Sequence, residues 1–179
     1  QHQLKQLQEE NSKLKFFQEI AFHDWLTDLP NRRYFEKRFK EELARSHRNN
    51  TSLSIAVIDL DNLKTINDSV GHDAGDQALR FIAKFLKEHL RITDIFCRYG
   101  GDEFVVIMPE TRKDLAIKAI NRVQKMLDSN KQLATIAGDQ QVSFSFGVAD
   151  KHSAGREDKL LQAADEAMYK DKYHRKSAA

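Results

Sequence analysis

The stretch DIFCRYGGDEFVVIMPE, residues 94–110, limits the fold more than any other part of this chain. Two apolar, β-rich runs, 94–99 and 104–108, flank Gly100-Gly101. Parallel strands need a crossover of about a dozen residues or more. These runs are too close for one, so they pair antiparallel through a hairpin, for which Gly-Gly is favourable turn chemistry. Around them, Asn31 is placed to cap a helix carrying Phe35, Phe39 and Leu43 on one stripe. LSIAVIDL (53–60) has strand length and composition, and Leu79, Ile82, Ala83, Leu86 and Leu90 recur at helical spacing. A further helix is expected over residues 112–129. LATIAG and QVSFSFGVAD then read as two strands, the second alternating through Val142, Phe144, Phe146 and Val148, and a last helix runs over 156–173. Hairpin strands interleaved with helices predict an α+β fold, a mainly antiparallel central sheet covered by helices. A doubly wound parallel sheet does not fit.

Residues 1–22 read differently from the rest, giving two parts: a helical stalk over 1–22 and a domain over 23–179. QHQLKQLQEENSKLKFFQEI has no Gly or Pro and sets Leu4, Leu7, Asn11 and Leu14 at a, d, a and d of a heptad. An Asn at an a position is a known device for fixing register and dimer state. A dimerising, coiled-coil-like stalk and a plain amphipathic helix are both compatible with fewer than three heptads.

With Lys+Arg at 29 against Asp+Glu at 27, the net charge of +2 does not suggest a nucleic-acid partner, which would require a clustered basic face. The one cysteine, Cys97, lies in an apolar run and reads as a core thiol of a reducing compartment. No signal peptide and no apolar run of roughly 18 residues is present, so the expected location is cytoplasmic, with an anchor in a longer parent protein left open.

The chemistry is concentrated in carboxylates. LSIAVIDL runs into Asp59 and Asp61, which share a face by the period of two. If this strand neighbours the hairpin, Asp59 meets Asp102 and Glu103. Acids without a Cys or His partner suit Mg²⁺ or Mn²⁺ rather than zinc, as in a two-metal phosphoryl or nucleotidyl transfer site. Further on, Asn67 with Asp68 or Asp76 has the groups to read a guanine edge, although helix capping explains the aspartates equally well. The pairs His23-Asp24 and His72-Asp73 lack the further ligands that a metal-dependent HD phosphohydrolase needs.

Together these segments resemble the GGDEF domain, the diguanylate cyclase family, over residues 22–173. DWLTDLPNRRYF (24–35) is similar to the family's opening motif, with Asp28 where Gly is usual. DLDNLKTINDSVGHDAGDQAL (59–79) resembles its metal and guanine segment, with Asn62 in place of a common Phe. RYGGDEF is the signature, and SFSFGVA (143–149) and ADEAMYKDK (164–172) resemble the last strand and final helix. The resemblance implies a nucleotidyl-cyclase, palm-like fold and an enzyme that joins two GTP into cyclic di-GMP and two pyrophosphates, acting as a homodimer with two metal ions per site.

By the same resemblance, Asp59, the Leu60 carbonyl, Asp102 and Glu103 ligate the metals, and Asp102, Glu103 and Lys64 serve catalysis. Backbone amides of Asn62, Leu63 and Lys64 cradle phosphates, Asn67 and Asp76 hold the guanine, and Lys172 binds phosphate. Arg175-Lys176 replaces the family's Gly-Arg, leaving Lys176 as the second phosphate group. Arg91-Ile92-Thr93-Asp94 stands where the family carries an Arg-x-x-Asp site for inhibitory product. Arg91 is suited to the O6 and N7 edge of guanine, and Arg122 adds a contact. An upstream sensor or receiver domain is implied. The alternative reading is a catalytically inactive receptor for cyclic di-GMP or GTP, and a third is a domain that only dimerises.

Overall fold

A computed structural model describes residues 20–130, 132–138, 140, 142–152 and 159–178, together with Lys5, Gln6, Lys13 and Phe17. The heptad positions Leu4, Leu7, Asn11 and Leu14 lie outside the described residues. The elements are α1 (Arg32–Arg48), β1 (Leu53–Asp61), α2 (Leu63–Ser69), α3 (His72–His89), β2 (Ile95–Arg98), β3 (Glu103–Pro109), α4 (Lys113–Asp128), α5 (Gln132–Ala137), β4 (Ser143–Asp150) and α6 (Leu160–Ala178). The strands form one sheet in the order β2-β3-β1-β4, antiparallel at every step. None of the described helices is long and apolar enough to cross a membrane.

Period-2 alternation divides the strand side chains between two cores. Ala56, Ile58, Phe104, Val106, Phe144 and Val148 point to one face, where Leu79, Ile82 and Leu86 of α3 and Ile120 and Val123 of α4 cover them. Ile55, Val57, Cys97, Val105 and Ile107 point to the other, under Phe35 of α1 and Leu160, Ala164 and Met168 of α6. Gly147 of β4 has no alternative there, because a Cβ would stand 2.0 Å from the Met168 amide nitrogen. The Phe146 amide, on the outer edge of β4, donates to Asp171 Oδ2 of α6 at 3.0 Å. Burial pushes the Cys97 thiol up to about 12, so it stays protonated core filling.

LATIAG is helical, not a strand. Leu133, Ile136 and Ala137 fall at i, i+3 and i+4, and Gly138 follows at φ +61° as a left-handed helix stop. An apolar run this short carries too little periodicity to separate helix from strand. The hairpin turn is also longer than a two-residue Gly-Gly turn. Pairing closes at Arg98 and Phe104, and neither glycine is left-handed.

Before α1, residues 21–31 fold back on themselves. Asn31 caps α1 through Arg33 N and Tyr34 N, and its amide donates to the Ala21 and His23 carbonyls. Asp28 sits at φ +56°, where a β-carbon costs about 1 kcal/mol and glycine nothing. Asp28→Gly is therefore expected to raise the melting temperature by about 2–4 °C and Asp28→Val to lower it, as read by thermal denaturation.

Candidate active site

Strand register assembles the acids. Asp59 pairs directly with Glu103, and the Leu60 amide donates to the Asp102 carbonyl at 3.0 Å. The N–H and C=O of a strand residue point the same way, so the Leu60 carbonyl also faces the Asp102 side. Asp59, Asp61 and Glu103 continue the face of Val57 and Val105, the one covered by α6. From α6, Lys172 reaches down and its ammonium binds Asp59 Oδ1. Asp61 is held separately: Ser143 Oγ and Ser145 Oγ donate to it at 3.0 and 2.9 Å, and Arg175 Nε lies 3.8 Å away.

The site is electrostatically unbalanced toward negative charge. Burial lifts the Asp59 carboxyl above the ordinary range; Asp102 and Asp61 add to this, and Lys172 offsets it only in part. Glu103 is raised by burial and then by Asp59, Asp102 and Asp165. For Lys172, burial works against the charge, but Asp59, Asp102 and Asp61 outweigh it and hold the ammonium protonated. Every donor at this end of the sheet is an oxygen, which fits Mg²⁺ or Mn²⁺. Among the described residues no three His, Cys, Asp or Glu side chains are gathered closely enough to hold a metal ion unaided. Lys172 is the cation that meets Asp59.

The turn between β2 and β3 is tied down by Arg98, a residue without a role in the sequence reading. Its side chain is only 11 % exposed. Nε donates to the Gly100 and Gly101 carbonyls at 3.2 Å each, and Nη2 to the Gly101 carbonyl at 2.6 Å. Nη1 meets Asp24 Oδ1 at 2.8 Å. Thr27 also donates to that oxygen, from its amide at 3.0 Å and its hydroxyl at 2.8 Å. Burial alone would raise Asp24, but Arg98 and Thr27 outweigh it and hold the carboxyl below the usual range. A Cβ at Gly100 would lie 2.8 Å from Glu103 Oε2 and push that carboxylate aside; a Cβ at Gly101 would meet nothing within 4 Å. The Gly101 side of the turn is open for a ligand.

Asn62 makes the sharp exit from β1 at φ +63°, a left-handed position that Asn tolerates better than most residues. It puts Leu63 and an exposed Lys64 in the first turn of α2. One turn on, the Asn67 side chain lies against Gly75 of α3, where a Cβ would stand 1.9 Å from Asn67 Oδ1. The next residue along α3 is Asp76, half-buried. The Lys176 side chain lies outside the described residues.

Arg91 and Asp94 are at the other end of β2, away from the acids. Arg91 and Asp94 form a tight turn in which the Arg91 amide donates to Asp94 Oδ2 and the Asp94 amide to the Arg91 carbonyl, both at 3.0 Å. Asp94 Oδ1 is buried with no hydrogen-bond partner among the described residues, and burial raises its carboxyl. The exposed Arg91 lines a cleft of about 770 Å³ with Arg38, Arg45 and Lys87. Arg122 donates to the His89 carbonyl at 3.2 Å, two residues from Arg91.

Comparison with known proteins gives a consistent result. Residues 21–178 match the family described as "Diguanylate cyclase, GGDEF domain". Diguanylate cyclase DosC of Escherichia coli K12 is 35% identical over 159 residues, 87% of this chain and 35% of its own. Response regulator PleD of Caulobacter vibrioides is 37% identical over 157 residues, 86% of this chain and 34% of its own. The chain thus spans about a third of the length of these relatives. Among solved structures, the coiled coil and GGDEF domain of DgcB from Caulobacter crescentus, in complex with c-di-GMP, superposes with a TM-score of 0.87. It covers 97% of this chain and 92% of its own at 24% identity, a likeness of fold.

Proposed function

The chain belongs to the GGDEF, diguanylate cyclase family, and from that premise we propose that it condenses two GTP into cyclic di-GMP with release of two pyrophosphates. The observation that carries this reading is the pairing of Asp59 with Glu103 beside Asp102. Asp59, the Leu60 carbonyl, Asp102 and Glu103 would hold Mg²⁺ or Mn²⁺, two ions per site, which would supply acidification of the attacking hydroxyl and neutralisation of the leaving pyrophosphate. In each of two steps a ribose 3′-oxygen forms a bond to the α-phosphorus of the other nucleotide as the bond to the β-phosphate oxygen breaks. Lys64 lies close to the developing phosphate charge, and the amides of Asn62, Leu63 and Lys64 orient the triphosphate. Asn67 and Asp76 fix the guanine, while Lys172 and Lys176 bind phosphate.

One domain has one nucleotide site, so cyclisation brings two copies face to face across a two-fold axis. The stalk over residues 1–22 raises their effective concentration, under the control of an upstream sensor or receiver domain, in the cytoplasm where GTP is available. Cyclic di-GMP in the cleft of Arg91 and Asp94, with Arg122 nearby, inhibits the enzyme.

The test is incubation with GTP and Mg²⁺ at several protein concentrations, following pyrophosphate and cyclic di-GMP. Product that rises faster than linearly with protein, at a rate that slows less with time in Arg91→Ala, is expected. Absence of product at every concentration, with cyclic di-GMP still bound, overturns catalysis in favour of a receptor. The guanine contact has its own check. Gly75→Ala forces Asn67 aside, and losing one such hydrogen bond is expected to raise the KM for GTP about tenfold, with a much smaller change in kcat.

A further inference from the structure

We infer that Lys172 is a counter-ion to Asp59 that is exchanged for the divalent metal when the nucleotide enters. The inference rests on the reading of Asp59 as a metal ligand. It adds an order of events that neither the residue types nor the family likeness contains.

The geometry supports it from three sides. First, the Lys172 ammonium is in contact with Asp59 Oδ1, so a metal ion approaching that oxygen must displace a charge of the same sign. Second, the oxygen that Lys172 meets stands among acids: Asp59 pairs across the strands with Glu103 beside Asp102 and shares its strand face with Asp61. That is where a divalent ion would have its greatest electrostatic advantage, and a single positive charge fills the place only in part. Third, Asp61 offers Lys172 no equivalent alternative, since both its oxygens already accept hydrogen bonds from Ser143 and Ser145, with Arg175 beside it. The four methylenes of lysine give Nζ the reach to swing without moving α6. A triphosphate is the group that can draw it away, offering more negative charge than one carboxylate.

The exchange has a thermodynamic consequence. Metal binding frees Lys172 for the phosphates, and phosphate binding frees Asp59 for the metal. Each ligand therefore tightens the other by the same factor. Without nucleotide the site resists metal, and the carboxylates are kept from binding stray cations unproductively.

The probe is Mn²⁺ alone, its free concentration followed by electron paramagnetic resonance during titration of the whole chain. Lys172→Met keeps the length of the side chain and removes its charge, and is expected to bind Mn²⁺ about tenfold more tightly than wild type. Lys172→Arg, which keeps a cation against Asp59, should remain weak. So should Lys170→Met, which removes an exposed charge two residues away. Adding a non-hydrolysable GTP analogue should tighten Mn²⁺ in wild type and do so much less in Lys172→Met. Equal Mn²⁺ affinity in wild type and Lys172→Met overturns the exchange, as does an equal gain in Lys170→Met, which would reduce it to net charge. A different result identifies failure of the underlying reading: Asp59→Asn binding Mn²⁺ as well as wild type, with the analogue present, removes Asp59 from the metal site altogether.

Discussion

Asp59→Asn is expected to lower cyclic di-GMP synthesis by about 10³-fold or more while melting no lower than wild type at pH 7 in metal-free buffer. The two halves of this result have one cause. Asp59 is 7 % exposed at the end of a central strand, and burial with Asp102 and Asp61 raises its carboxyl despite Lys172. The folded chain thus holds the Asp59 proton more tightly than the unfolded chain does. Stability linked to this group grows as the pH falls through the raised folded value, and above that value the ionised carboxylate is a cost. Asparagine has the same shape and removes the cost. The margin of the variant over wild type should narrow as the pH is lowered through that range, because wild-type Asp59 then becomes neutral as well. Product formation and thermal melts at several pH values measure both halves. An inactive variant that melts far below wild type at pH 7 would show that the charge holds the fold, contrary to this account.

Arg98→Ala is expected to produce the second large effect, on stability and activity together. The side chain supplies hydrogen bonds to both glycine carbonyls of the turn and to Asp24, which is only 18 % exposed. Truncation leaves a largely buried carboxylate whose remaining partner is Thr27, at a cost of about 3 kcal/mol. It also frees the turn that aims Asp102, and a displacement of about 1 Å at a reacting group lowers rates on the order of 10²-fold. Arg98→Lys should recover little of either, since an ammonium cannot reach Gly100, Gly101 and Asp24 at once. Denaturant unfolding and initial rates at saturating GTP decide it. A variant with wild-type stability and kcat would mean that the turn holds its own shape.

What could be read beforehand follows from the range of the interactions. The hairpin, and the shared face of Asp59 and Asp61, depend on strand length and the period of two, both visible in a dozen residues; that β1 neighbours the hairpin, so that Asp59 meets Glu103, is a long-range pairing. Phe35, Phe39 and Leu43 likewise mark the inner face of α1. LATIAG reads as a strand because a six-residue apolar segment carries no decisive period; the Gly138 stop is the better guide. The pairing of Arg98 with Asp24 spans 74 positions, and neither residue has a local signal beyond being charged beside a turn. Lys172 was assigned to phosphate by family likeness, and its contact with Asp59 depends on how α6 crosses β1, which no pattern along the chain encodes. The departure at Asp28 was visible, but its meaning required the backbone angle.

The Asp171 contact to the Phe146 amide bears on how copies of this chain come together. An open sheet edge invites another strand to add to it, and such additions tend to be long-lived and to propagate. With its Phe146 amide already engaged by α6, the β4 edge is a poorer template for growth. In the proposed homodimer, a meeting away from this edge would rest on side chains and bound ligand. A union of that kind has little backbone cement, so it can dissolve once the ligand has changed, and the encounter can be repeated.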